Sequence, residues 1–327
     1  MLIIKRHKTD PYFNLATEEY VLKEIPDDSF MLWRNAPSII VGKHQNTLAE
    51  INVDYVKHNN IPIVRRLSGG GAVFHDLGNL NFTFIQTGKP DLLVDFRKYT
   101  QPILDVLLKL QIDARFEGRN DLTIGGKKFS GNAEHIWKDR VLHHGTLLFS
   151  SRMADLSHAL NADPLKFRDK AVKSVRSRVT NISEHLKKPI DVMMFADLIQ
   201  EHIITKYPDA ASYDLGDDDH QKINELVRTK YSTWEWNFGY SPNYNFKKIL
   251  RTEKSGTIEF DIDVKNGTIL HIKIFGDYFS KFETEDIEEA LTGIPHEESE
   301  IRKALERFNL SDYFANLSIG EFLEGVF

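Results

Sequence analysis

The chain has 327 residues, 41% hydrophobic and 28% charged, with a formal net charge of −6. That length accommodates two domains with well-buried cores, and the mild acidity argues against a general nucleic-acid binder, whose domains are usually basic. Cysteine is absent, which excludes disulfides, thiolate metal sites and any thioester on the protein itself. No apolar run approaches the length that spans a membrane. The charges of the N-terminus follow a very short apolar stretch, unlike a signal peptide. A cytoplasmic chain without membrane attachment is expected.

Asp10-Pro11 reads as an N-cap followed by proline at the first helical position. Phe13, Ala16 and Tyr20 then recur at helical spacing and predict an amphipathic helix to about Lys23. Residues 30–33 and 38–41 are short apolar runs, read as strands. The polar loop 42–46 follows, and its His44 has no second histidine or carboxylate at metal spacing.

The chain is organised around the next stretch. Residues 61–64 lead into Arg65-Arg66-Leu67-Ser68-Gly69-Gly70-Gly71, and from Leu80 an alternation of Leu80, Phe82 and Phe84 with Asn81 and Thr83 marks a departing strand. Three consecutive glycines carry no Cβ, so backbone N–H groups can approach a bound anion closely. The two arginines add fixed positive charge suited to phosphate or carboxylate. Neither a dinucleotide fingerprint nor a Walker-type loop is present, because no helix follows and no Gly-Lys-Ser/Thr appears. On these residues alone, a structural turn with a solvated arginine pair stays open.

Downstream, Phe96, Tyr99, Ile103, Val106, Leu107 and Leu110 keep helical period, with Pro102 predicting a kink. Segments 118–124 and 127–133, joined by Gly125-Gly126, read as a hairpin, and 143–149 as a further strand. Lys166, Arg168, Lys170, Lys173, Arg176 and Arg178 stand against one acid, Asp169. They are either a solvated basic face or a docking surface for an acidic partner. Helical patterns return at 191–205 and 221–230, and the aromatic cluster 234–239 reads as core. Around 244–253 the character of the chain changes and a boundary is placed, giving domains 1–245 and 246–327. In the second, Ile258, Phe260, Ile262 and Val264 alternate, Asn266-Gly267 turns the chain, and Leu270, Ile272 and Ile274 alternate again before two short helices. This is a small α+β unit.

Residues 65–83, Gly118-Arg119-Asn120-Asp121, the run from Lys128 to Ala133 and His143-His144-Gly145-Thr146-Leu147 together closely resemble the lipoate–protein ligases. The resemblance runs over most of the chain, and the C-terminal unit is similar to that of the family's full-length bacterial form. It implies an α/β (α+β) fold: the mixed-sheet domain shared with biotin–protein ligases and class II aminoacyl-tRNA synthetases, plus the small C-terminal α+β domain. The Gly-Arg-Gly-Arg type loop of biotin ligases is missing, so biotin is not the expected acid.

The resemblance also implies ATP-dependent activation of free lipoate to lipoyl-AMP. Transfer to a lysine of a lipoyl-domain protein would follow, on a 2-oxo-acid dehydrogenase subunit or the glycine-cleavage H protein. By position, Arg66, Gly71, Ala72, Val73 and Phe74 would meet the nucleotide, and Ser68 and Gly70 the lipoate. Lys128 would contact both substrates and carry the catalysis, and Asp121 is the candidate for Mg²⁺ or the adenylate. A lysine cation suits this reaction, since negative charge develops on the phosphates while the attacking carboxylate needs no base. The rival within the fold, an acyl transferase without ATP, depends on a cysteine this chain lacks. A lipoate or nucleotide sensor, or a ligase preferring octanoate, remains open.

Overall fold

In a computed structural model of the chain, the described residues are 1–5, 7–88, 95–160, 167–169, 179–252, 256–276, 282–314 and 317–327. They divide into two compact units, one drawn from 1–43, 60–160 and 174–233, the other from 44–59, 161–173 and 234–327. In chain order the strands are β1 (Leu2–Ile4), β2 (Ser29–Trp33), β3 (Ser38–Val41), β4 (Ile63–Arg65), β5 (Val73–His75) and β6 (Asn79–Thr87). They continue with β7 (Ala114–Glu117), β8 (Asp121–Ile124), β9 (Lys127–Trp137), β10 (Arg140–Leu148), β11 (Phe167–Asp169) and β12 (Ala211–Tyr213). The last three are β13 (Tyr244–Thr252), β14 (Gly256–Lys265) and β15 (Thr268–Gly276).

The first unit is built on a mixed sheet in the order β12-β1-β2-β6-β10-β9-β8-β7, with β4-β3-β5 as a second, smaller sheet. Strand β1 runs parallel to both neighbours, and the rest of the large sheet is antiparallel. One face of that sheet makes the main core. Phe82, Phe84, Phe129, Val141 and Leu147 meet Ile103, Val106 and Leu107 of the helix Phe96–Lys109 and Phe195, Ile199 and Ile203 of the helix Val192–Lys206. Each such side chain contributes about 1.5–3 kcal/mol by leaving water. The helix Phe96–Lys109 continues across the buried Pro102.

The helix Pro11–Glu24 covers the opposite face. Asp10 caps it, accepting the Phe13 N–H at 2.7 Å, with Pro11 first in the helix. The spacing predicts an amphipathic helix, but the structure buries it almost all round, including Asn14, Thr17, Glu18 and Glu19. Buried charges must be paired, and these are. Glu19 accepts from Lys23, Lys230 and Tyr231 at 2.5, 2.6 and 2.7 Å. Burial pushes its carboxyl up, yet Lys230 and these hydrogen bonds bring it below the ordinary range. Buried Arg140 donates to the last carbonyls of the helix, Val21, Leu22 and Ile25.

In the second unit β11-β13-β14-β15 form an antiparallel sheet. The turn between β14 and β15 uses Asn266 and Gly267 at φ +49° and +75°, the paired left-handed residues such a hairpin needs. Strict alternation would bury Leu270 beside Ile272 and Ile274. Instead the register slips, Val264 pairing with Ile269 and Asp263 with His271. Leu270 is the extra residue of a bulge and lies 54% exposed, while Ile269 takes the core position. His296 is buried between Tyr244, whose O–H donates to its Nδ1 at 2.6 Å, and the Val326 carbonyl, which its Nε2 reaches at 2.7 Å. Burial drives this ring down to about 4, so it is neutral. The aromatic segment read as core is half-buried at Trp234, Trp236 and Phe238; Trp234 lies over Gly239 and Gly267, where a Cβ would come within 2.9 and 2.6 Å. The basic run 166–178 lies outside the described residues apart from the β11 backbone.

Candidate active site

The glycine turn is held from within by its own arginines. Arg66, buried, donates from Nε to Ser68 Oγ at 3.0 Å, from one terminal nitrogen to the Ile40 carbonyl at 3.2 Å, and from the other to Gly69 and Gly71 at 2.6 and 2.8 Å. Burial lowers its guanidinium to about 10, with Glu18 opposing the drop, so it stays charged. Arg65, fully buried, donates to the Gly42 and Lys43 carbonyls, both at 3.0 Å. Gly70 sits at φ +91°, and a Cβ on Gly42 would stand 2.1 Å from the Gly70 oxygen. Here Arg66 shapes the turn and places positive charge directly behind it. Beyond the turn, Ala72 and Phe74 are buried and Val73 half-buried, as β5 pairs with β3.

The hairpin β8–β9 carries the lysine. Gly125 and Gly126, at φ +56° and +72°, make its tight turn. A bulge opposite Leu122 and Thr123 sends Phe129 into the core and leaves Lys128 on the other side. Lys128 Nζ is 2.8 Å from Asp121 Oδ1, both side chains about one-third exposed. The lysine end lies over Gly131, where a Cβ would stand 3.1 Å from its Cε and Nζ. Gly131 N–H donates to Thr146 Oγ1 at 3.3 Å, which ties this place to β10.

On β10 the residue two before Thr146, on the same face and about 7 Å away, is His144. Its Nε2 is 2.6 Å from Ser68 Oγ, and its Nδ1 lies 3.0 and 3.1 Å from the two oxygens of Glu18. Thr83 Oγ1 donates to Glu18 Oε1 at 2.6 Å and accepts from Trp33 Nε1 at 2.9 Å. The chain Trp33–Thr83–Glu18–His144–Ser68–Arg66 thus runs from β2 through the buried helix to the glycine turn. Arg and Trp only donate and a carboxylate only accepts. In a neutral ring His144 Nδ1 carries its proton towards Glu18, and Nε2 is then the acceptor facing the Ser68 hydroxyl. Ser68 and Lys128 accordingly meet the same face of the large sheet. Nearby, His75 is driven down to about 3 by burial, then by Arg66 and His144, and Asn35 Nδ2 lies 3.1 Å from its Nδ1.

Among the described residues no group of three or more histidine or acidic side chains stands ready for a metal ion. Asp121 offers one carboxylate, already on Lys128. That donor set suits a cation arriving on a triphosphate better than a resident one. No helix among the described residues is long and apolar enough to cross a membrane.

Residues 10–204 match the family model of the lipoyl protein ligase A/B catalytic domain, and 241–325 that of the bacterial lipoate protein ligase C-terminus. The chain is 43% identical to lipoate–protein ligase 1 of Staphylococcus aureus, over 96% of each. This chain belongs to the lipoate–protein ligase family. Among solved structures, it is similar to a lipoate–protein ligase A bound with ATP, with TM-score 0.64, 25% identity and coverage of 73% of this chain and 98% of that one. It is also similar to a T. acidophilum protein with bound lipoic acid, with TM-score 0.62, 25% identity and coverage of 72% and 98%.

For this ligase, sequence reading grouped Lys128, Asp121 and the glycine turn, and singled out the His143-His144-Gly145 run without giving it a task. The structure also assembles a serine–histidine–carboxylate set from Ser68, His144 and Glu18. The signal available was in the helix: Phe13, Leu15, Ala16, Tyr20, Val21 and Leu22 leave no polar face, so Glu18 and Glu19 had to be buried and paired.

Proposed function

We propose that this ligase activates free lipoate with ATP, forming lipoyl-AMP and pyrophosphate, and then passes the lipoyl group to a lysine of a lipoyl domain. The observation that carries this reading is Lys128, partly exposed over Gly131 on the face that the glycine turn overlooks. In the first step the lipoate carboxylate attacks the α-phosphorus and pyrophosphate leaves. Lys128 and the turn N–H groups, with Arg66 charged behind them, lie where negative charge grows. Absence of a Cβ at Gly69, Gly70 and Gly71 leaves those N–H groups accessible.

We assign Arg66, Gly71, Ala72, Val73 and Phe74 to the nucleotide side, Arg66 acting through the turn it shapes. Ser68, Gly70 and Lys128 are assigned to the lipoate side. Asp121 would be the protein contact of a Mg²⁺ carried on the triphosphate, and the ion would offset the charge of the phosphates. The acceptors are lipoyl domains of 2-oxo-acid dehydrogenases or the glycine-cleavage H protein, and the reaction runs in the cytoplasm. Residues 1–245 constitute the catalytic domain and 246–327 an accessory one.

The test is pyrophosphate release from Mg-ATP with lipoate, octanoate, biotin or no acid. Release that depends on lipoate is expected. Equal release without acid, or none with lipoate, overturns the reading.

A further inference from the structure

The transfer step needs something the adenylation step does not. When an amine attacks the acyl carbon of an adenylate, the new C–N bond leaves a surplus proton on nitrogen, and a group with a lone pair must take it. Lys128 and Arg66 are donors only, and Asp121 is held on Lys128. The Ser68–His144–Glu18 chain has the required direction. Arg66 Nε donates to Ser68 Oγ, and in a neutral ring whose Nδ1–H faces Glu18, Nε2 is the acceptor 2.6 Å from that oxygen. All three side chains are buried, and Glu18 is itself fixed by Thr83. Thr146, the next residue of β10 on the same face, touches the Gly131 backbone beneath Lys128, so Ser68 and Lys128 stand over neighbouring residues of one sheet face.

We propose that Ser68 and His144 relay the proton lost by the acceptor lysine during transfer, with Glu18 holding the ring for the task. This rests on the proposed function above and deepens its second step. The neutral amine attacks the carbonyl carbon and the C–N bond forms. One proton passes from that nitrogen to Ser68 Oγ as the serine proton passes to His144 Nε2. The C–O bond to the phosphate then breaks and its electron pair leaves with AMP. Nothing is oxidised or reduced. The imidazolium so formed faces the Glu18 carboxylate. Ser68 touches the reacting nitrogen, whereas His144 and Glu18 act through it as positioning residues. The other titratable or charged groups around His144 are Arg66 on the turn, His75 on β5, His135 on β9 and His143 beside it on β10.

The experiment supplies lipoyl-adenylate ready-made to the full-length chain and follows capture by two nucleophiles across pH. One is a recombinant lipoyl domain with its acceptor lysine, the other hydroxylamine, which is already unprotonated at neutral pH. For His144→Gln, and independently for Glu18→Gln, lipoyl-domain transfer should fall about 10²-fold. Hydroxylamine capture should change only a few-fold. If hydroxylamine capture falls as far as lysine transfer, the chain merely props up the turn and the proposal is overturned. A wild-type rate of lipoyl-domain transfer in either variant overturns it too. Lipoate-dependent pyrophosphate release by the wild-type chain is scored separately, so failure of the adenylation reading is seen apart from failure of the relay.

Discussion

Two neighbouring histidines of β10 give the same pairing two characters. His143 and His144 point to opposite faces of the sheet, and each meets a carboxylate, Glu134 at 2.8 Å and Glu18 at 3.0 Å. On the core face His143 lies among the rings of Phe82, Phe96 and Tyr99. Neither its Nε2 nor Glu134 Oε2 has a hydrogen-bond partner among the described residues. Burial raises Glu134 to about 7 and holds His143 well below its usual value, so on the acid side of neutrality a neutral acid sits beside a neutral ring. On the other face the same two groups continue outward, into Ser68 at one end and Thr83 at the other. A pair closed upon itself fastens the sheet to its core; a pair continued at both ends can pass a proton along.

The sharpest way to break this contrast is His143→Ala. It leaves a void beside three rings and strips the buried Glu134 carboxyl of its hydrogen-bond partner, which should cost about 2–5 kcal/mol. Urea unfolding measures it, and a cost below about 1 kcal/mol would show that the closed pair fastens nothing. On the other face Lys128→Ala should lower lipoate-dependent pyrophosphate release about 10²–10³-fold. Its unfolding free energy should change by less than about 1 kcal/mol, because the lost ion pair is partly exposed. An unchanged release rate removes Lys128 from the mechanism.

Acidification tests the neutral rings together. His75 lies at about 3 in the folded chain and His135 and His296 at about 4, each below the ordinary 6.5, chiefly through burial. The unfolded chain therefore binds more protons between those values. The stability these groups confer is complete above 6.5 and is lost as the pH falls towards 4. Glu134 has the opposite sign: raised from 4.5 to about 7, it confers stability at low pH that fades as the pH climbs through 7. The melting temperature should accordingly peak near neutrality, and a flat profile down to pH 4 would contradict the buried neutral histidines. The smallest effect is reserved for Gly131→Ala, whose Cβ would crowd only the flexible end of Lys128. Pyrophosphate release should fall about tenfold by displacing the ammonium, with little change in stability. Wild-type turnover would mean the lysine is not used in the position seen.

What could be read in the sequence was local. The Asp10-Pro11 helix start, the Gly125-Gly126 hairpin and the Asn266-Gly267 turn all declare themselves within a few residues, because φ and capping are set by immediate neighbours. Lys128 and Asp121 came together for the same reason, lying across one tight hairpin. The Ser68–His144–Glu18 chain did not, since its contacts span 76 and 126 residues and depend on strand order and register. Leu270 failed more simply: one bulge reverses the face of every residue beyond it, and no residue type announces it.

The buried helix Pro11–Glu24 has a consequence for how this chain is made. Its carbonyls are closed by Arg140, its Tyr20 hydroxyl by Asp219 and its Glu19 by Lys230 and Tyr231, the last 212 residues downstream. Translated at about 5–20 residues per second, such a helix waits on the order of ten seconds or more for its final partners to leave the ribosome. Throughout that time its apolar circumference is available to chaperones or to other nascent chains. The matched catalytic segment ends at residue 204, short of every one of those late partners except Arg140. A fragment stopped there would carry two buried glutamates on one helix, with Glu19 stripped of Lys230 and Tyr231. The shortest piece expected to fold as this unit does must reach past Tyr231.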